Sequence, residues 1–346
     1  MNKELNRRSF VKTVALGGIG IGLASAKPVF SLSSQTTGRI GIIGLDTSHS
    51  IAFTKAINSP DPKPEFAGFR IVTAFPKGSS DIKSSADRIP GYTEEVKKLG
   101  VAIAGSIDEL LSEVDYVLLE TNDGRLHLEQ ALAVFKAGKR VFIDKPLAAS
   151  LEHAIAIFDA ADHYKVPVFT SSSLRYIEGA QEIAAGKIGK VTGADTFSPC
   201  SLEKTHPDLF WYGIHGVETL FTVMGTGCKT VTRISTPDTD HVTGVWDGGR
   251  VGTFRGTRAG KGGYGGTVFG ETDTMALGQY AGYDPLLVKI LEFFKTGQEP
   301  VRREETIEIF TFMQAADVSK NRSSIPVEMD GVLADARKKA GKIKFE

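Results

Sequence analysis

The sequence predicts an α/β protein in two parts: a doubly wound parallel sheet over residues 38–171, then an α/β domain with an open, largely antiparallel sheet over residues 172–346. Three observations lead there. Up to about residue 171, short continuous apolar runs alternate with amphipathic helical stretches, the pattern of parallel strands covered on both faces. The first run ends in Gly44, where a nucleotide-binding crossover places a tight turn. Beyond residue 172 the runs become Thr- and Val-rich, and Asp247-Gly248-Gly249 stands between two of them as a hairpin signal.

In chain order the apolar runs are Arg39–Ile43, Phe69–Phe75, Val101–Ala104, Tyr116–Leu119, Val141–Ile143 and Val166–Phe169. Helices are expected over Ile107–Val114, Leu126–Ala137 and Leu151–Tyr164, with Ser106 and Ser150 as N-caps and Gly138 as a C-cap. The later strands are expected at Lys190–Ser198, Lys229–Thr236, His241–Trp246 and Arg250–Gly256, followed by a glycine-rich loop, Gly260–Gly266. Two closing helices, Asp284–Lys295 and Glu304–Lys320, are placed to pack back toward the first part.

The first 26 residues read as a leader. Asn6-Arg7-Arg8-Ser9-Phe10-Val11-Lys12 precedes an apolar run, Val14–Leu23, and the small residues Ala24-Ser25-Ala26, which is the form of a twin-arginine export signal leading to the periplasm. The run of ten residues is short against the ~20 needed to cross a bilayer. Removing residues 1–26, with four basic and one acidic residue, leaves 37 basic and 40 acidic. No basic stripe points to nucleic acid, and no second apolar segment points to a membrane span. Cys200 and Cys228 are too few for a disulfide scaffold; one bridge or two buried thiols both fit an exported chain. No metal site is assigned from the sequence. The partner expected is a small, fairly neutral molecule.

In an open parallel sheet ligands gather beyond the carboxyl ends of the strands. The residues just past those ends are Gly44-Leu45-Asp46, Pro76-Lys77-Gly78-Ser79, Thr121-Asn122 and Asp144-Lys145-Pro146, which should share one crevice. Lys145, held by a proline at a strand end, can hydrogen-bond a hydroxyl and stabilise alkoxide character there, or simply pair with Asp144. The stretch GRIGIIGLDTSHS, residues 38–50, departs from the G-x-G-x-x-G fingerprint, with Asp46 and His49 where the second and third glycines belong. Two unit charges 4 Å apart repel by about 4 kcal/mol at an effective dielectric near 20. Asp46 must therefore turn away, be neutralised, or exclude a phosphate; capping the next helix is one way of turning away. Thr47 and Ser48 still offer hydroxyls and a helix N-terminus to an anion. His49 faces the crevice or packs under the turn.

Thr121-Asn122 with His127, then AGKRVFIDKPLA at 137–148, Ser173-Leu174-Arg175, and GIHGVETLFTVMG at 213–225 together resemble the Gfo/Idh/MocA family of sugar and polyol oxidoreductases. That resemblance implies a Rossmann domain, a substrate domain with an open sheet, and a bound NAD or NADP, which export would require to be tightly held. The family's Glu-Lys-Pro corresponds to Asp144-Lys145-Pro146. Its Asp-x-x-x-His falls on Trp211 and His215, so the histidine is kept and the aspartate is lost. Lys145 and His215 are then the expected catalytic pair, His215 as acid/base because imidazole titrates near neutrality. Gly44, Asp46, Thr47, Ser48, Lys77, Thr121, Asn122, His127 and Lys145 itself are expected at the cofactor, Lys77 and its neighbouring serines favouring a 2′-phosphate. Arg175, Trp211, Asp208 and Glu218 are expected at the substrate, the last two as substitutes for the missing aspartate and Trp211 as a stacking surface or core residue.

Two functions follow from these residues. The first is an exported oxidoreductase for a sugar or sugar derivative, whose cofactor stays bound because it cannot exchange outside the cytoplasm. The second keeps the fold without the nucleotide: a redox-silent carbohydrate-binding protein or lyase, in keeping with Asp46, Trp211 and the lack of an acidic residue after Phe75. A homo-oligomer through the open sheet's exposed face is compatible with either.

Overall fold

The computed structural model describes residues 38–345; the leader expected at residues 1–26 lies outside them. The first sheet is parallel, with strands β1 Gly38–Ile43, β2 Phe69–Phe75, β3 Ala102–Ile103, β4 Tyr116–Leu119, β5 Arg140–Ile143 and β6 Val168–Phe169 in the order β3-β2-β1-β4-β5-β6. Strand order reverses at β1, so the β1 and β4 ends open the crevice that such sheets use for ligands. Ile40, Ile42, Ile43, Val117, Leu118 and Leu119 are fully buried, which is why these strands read as unbroken apolar runs.

Helices in this half are α1 Ser48–Ile57, α2 Lys83–Ala86, α3 Ile89–Lys98, α4 Ile107–Glu113, α5 His127–Lys136 and α6 Leu151–Tyr164. Ser106 and Ser150 cap α4 and α6 as expected, their hydroxyls accepting from Glu109 N and His153 N. α7, Ala180–Ala184, leads into the second half.

The second sheet comprises β7 Val191–Pro199, β8 Cys228–Ser235, β9 Thr239–Trp246, β10 Val251–Thr257, β11 Gly265–Gly270, β12 Thr274–Leu277 and β13 Val327–Glu328. Its order is β12-β11-β7-β10-β9-β8-β13, and every pairing is antiparallel except β7 with β10. The four expected strands are present. The glycine-rich loop is a correction: it ends before Gly265, where β11 pairs with β7 despite having little side chain to show the alternation. One face of this sheet carries exposed Phe197, Val245, Val251 and Phe269.

The other face packs on α8, Ile214–Met224, all eleven of whose residues are buried. A side chain on Gly216 would begin 2.3 Å from the Phe254 ring, so glycine lets α8 lie close against the strands. α10, Arg303–Asn321, and α11, Met329–Ala340, complete that layer. α9, Asp284–Thr296, returns to the first sheet: Leu286, Leu287, Ile290, Leu291, Phe293 and Phe294 share a core with Ile40, Ile42 and Phe69. Each such side chain contributes about 1.5–3 kcal/mol on burial. Both sheets thus belong to one compact unit. Cys200 and Cys228 are both buried and free.

Candidate active site

Gly44 turns the chain out of β1 at φ +93°, and a Cβ there would sit 2.4 Å from the Thr121 amide nitrogen. Only glycine serves at this crossing of two strand ends. The next helix is capped by Thr47, whose hydroxyl accepts from His49 N, and not by Asp46. Asp46 instead turns inward and is fully buried. Its carboxylate accepts from Asn122 N at 3.0 Å and Ser79 N at 3.4 Å. Burial pushes its pKa up, against the pull of those amides. Of the three options open to Asp46, the structure takes turning away.

The loops after β2 and β4 are tied together beside it. Arg125 pairs with Asp81 and Asp123, both at 2.6 Å. His127 is fully buried between the carbonyls of Thr121, at 2.6 Å, and Leu147, at 3.1 Å, and so braces the loops instead of reaching the crevice. Lys77 is exposed and does not line it.

Between the two sheets lies a cavity of about 360 Å³, floored by Thr47, Ser48, His49, Asn122 and Lys145. Its other wall brings His215, Trp211 and Tyr212, with Tyr264, Tyr280 and Tyr283 around them. The Lys145 ammonium stands 5.6 Å from the centre of the Tyr212 ring. His215 Nδ1 is 2.7 Å from Ser172 Oγ. Burial, then the positive charges of Lys145 and His49, hold the imidazole well below its usual pKa, so it is the neutral base at physiological pH. The expected pair, Lys145 and His215, therefore meets in one cavity.

Three of the four expected substrate residues, Arg175, Asp208 and Glu218, do not line it. Glu218 and Arg175 are buried against each other at 2.8 Å, and neither lines the cavity. Glu218 also accepts from Ser171 Oγ and Ser172 N, each at 2.8 Å, which holds Ser172 under His215. Asp208 is bound to Arg233 and Lys320, away from the cavity. Trp211 does line it, with its ring 4.9 Å from that of His206.

Sequence reasoning missed Glu120 and the tyrosines. Glu120 ends β4, is fully buried, and neither carboxylate oxygen has a hydrogen-bond partner. Asp144 ends β5, with Oδ2 2.9 Å from His49 Nδ1. Burial and the neighbouring Asp144 charge push Glu120 well above the usual carboxyl range. Burial opposes ionisation of Asp144 too, but His49 and Lys145 outweigh it and hold Asp144 low. The signal for the tyrosines was present: aromatic residues set among glycines in KGGYGG and GQYAGY.

Residues 39–172 match the model of the Gfo/Idh/MocA family, described as "Oxidoreductase family, NAD-binding Rossmann fold". Among curated proteins, 1,5-anhydro-D-fructose reductase of Ensifer adhaerens is 36% identical over 124 residues, 34% of this chain and 36% of the reductase. The chain thus matches little more than a third of that relative's length. A probable dehydrogenase from Thermotoga maritima superposes with TM-score 0.69 at 19% identity, covering 85% of this chain and 99% of that one. Scyllo-inositol dehydrogenase from Lactobacillus casei, solved with NAD(H) and scyllo-inositol, gives 0.66 at 15% identity, covering 85% and 99%.

Proposed function

We propose that the chain is an oxidoreductase of this family that acts on a sugar or sugar derivative, with Lys145 and His215 at the reacting carbon. The observation that carries the proposal is the convergence of an ammonium and a neutral imidazole on one tyrosine-lined cavity at the strand ends. Aromatic faces with a few polar groups suit a polyol, whose ring offers C–H patches and hydroxyls together. The sugar-related names of the relatives support the substrate class, and the leader at residues 1–26 supports export to the periplasm. The exposed apolar face of the second sheet supports self-association.

The cofactor half of the crevice fits a dinucleotide at its inner end. The α1 N-terminus faces the cavity through Thr47 and Ser48, Asn122 lines it, and Asp46 does not project into it. When bound, the nicotinamide supplies the hydride acceptor. Lys145 then donates a hydrogen bond to the reacting hydroxyl oxygen and stabilises its growing negative charge. His215 receives the hydroxyl proton at Nε2, while Ser172, contacting Nδ1, fixes the ring's direction. Glu218 and Arg175 act through Ser172 and not on the substrate.

The test is to purify the full chain, denature it, and assay the supernatant for nicotinamide nucleotide. The expected result is close to one per chain. None, with no uptake of added NAD or NADP, overturns the proposal in favour of a redox-silent binding protein or lyase. That second reading is favoured by the Arg125 tie between the loops after β2 and β4, which an adenosine would have to part. Lys145→Ala should lower turnover at least a hundredfold while nucleotide is retained; unchanged turnover would remove the lysine's role.

A further inference from the structure

We propose that His49, Glu120 and Asp144 form a divalent-cation site in the floor of the cavity, a one-imidazole, two-carboxylate set suited to Mn²⁺, Fe²⁺ or Zn²⁺. The three side chains come from the first turn of α1 and the residues just past β4 and β5, so neighbouring strand ends bring them together. One ligand atom from each lies within 4.8 Å of the other two. Ligand atoms about 2.1 Å from a shared ion are at most about 4.2 Å apart, so the set needs to close by a fraction of an ångström. His49 Nδ1 is already 2.9 Å from Asp144 Oδ2 and 4.0 Å from Glu120 Oε2.

Two observations separate this trio from a chance acidic cluster. Both oxygens of Glu120, with the residue at 0% exposure, lack any hydrogen-bond partner, and Asp144 Oδ2 and His49 Nδ1 have only each other, at 2.9 Å. Buried carboxylate oxygens in that condition cost several kcal/mol unless a cation meets them. The imidazole is also oriented from outside the trio, with the Tyr283 ring at 4.5 Å and the Phe53 ring at 5.7 Å. The competing arrangement is a metal-free cluster in which His49 and Lys145 face Glu120 and Asp144, and it leaves the Glu120 oxygens without a donor. His49 and Lys145 line the cavity, so an ion held here would offer its remaining positions to a ligand's hydroxyl or carboxylate oxygen.

This inference stands apart from the oxidoreductase reading, and its test needs neither substrate nor nucleotide. The full chain is stripped with EDTA and titrated with Mn²⁺ and with Zn²⁺ by calorimetry, and metal content after dialysis is read by plasma mass spectrometry. The expected result is one ion per chain with a raised Tm. His49→Ala and Glu120→Gln should each weaken binding at least a hundredfold, whereas the exposed Glu94→Gln should bind as wild type does. Wild type that takes up neither ion overturns the site, as does full binding in both trio variants. Should those variants not fold, zinc-edge absorption on wild type decides: nitrogen and oxygen neighbours support the assignment, and sulfur neighbours overturn it.

Discussion

Asp46→Asn isolates the charge of one carboxylate in the cofactor crevice. The amide keeps an acceptor oxygen for Asn122 N, at 3.0 Å in wild type, and gives up only the long contact to Ser79 N at 3.4 Å. The lost hydrogen bond costs about 0.5–1.5 kcal/mol, which in a fold of this size lowers Tm by about 2 °C. Were a diphosphate to lie about 5 Å from this carboxylate, removing the unit charge would relieve about 3 kcal/mol at an effective dielectric near 20, roughly two hundredfold in Kd. Fluorescence titration of stripped protein with NADH should show that tightening. Because burial raises the Asp46 pKa, the wild-type carboxyl ionises only as pH rises past its usual range. Wild-type affinity should therefore fall with rising pH, and that of the variant should not. Equal Kd values for the two proteins, with Tm preserved, would refute the claim that this carboxylate opposes the nucleotide.

Three further outcomes are expected. Ser172→Ala removes the partner of His215 Nδ1 and should lower kcat about tenfold with KM little changed, shifting the acid limb of the pH–rate profile; rescue by Ser172→Thr would mark a positioning role. Burial pushes His206 down to about 4, so on unfolding it takes up a proton between pH 6.5 and 4, and stability is lost as pH falls through that window. The Tm advantage of wild type over His206→Gln should accordingly shrink from pH 7 to pH 4.5 in scanning calorimetry, and a constant difference would contradict it. Arg233, fully buried against Asp240, Asp317 and Asp208, should cost about 3–5 kcal/mol when changed to Met, because carboxylates are left uncompensated. That is a fall in Tm of about 5–8 °C, checked by thermal melting.

The parallel sheet was legible because β1, β4 and β5 are buried on both faces and carry the unbroken apolar runs that such burial selects. β11 and β12 were not, since a strand with three glycines among six residues shows no alternation. Lys145 and His215 were legible as the retained members of two motifs. Arg175 and Glu218 were misplaced because both lie near the site in sequence, and only the packing of α8 decides that they face each other. Asp46 could not be read either. Its direction is set by amides 33 and 76 residues away, which no local pattern encodes. Glu120 ends an apolar strand and so resembles an ordinary turn residue until its empty surroundings are seen.

The charge around the strand ends decides what the crevice prefers. A dinucleotide brings two negative charges to this place, and folds built for it supply glycines and amides there. This chain supplies three buried carboxylates, Asp46, Glu120 and Asp144, at the ends of β1, β4 and β5. Asp46 has backbone donors and turns away from the cavity; Asp144 accepts from Lys145 N at 2.8 Å and faces His49, whereas the Glu120 oxygens have no donor. Divalent charge at the His49 trio would meet the Glu120 oxygens that the protein leaves without a donor, and would lower the field that a diphosphate at the α1 N-terminus meets. Cation and nucleotide should therefore bind with positive coupling: stripped protein should take NADH more tightly in the presence of Mn²⁺, and by linkage Mn²⁺ more tightly in the presence of NADH. Nucleotide affinity indifferent to the metal would mean that the two charges do not sense each other, and that Asp46 alone governs the phosphate site.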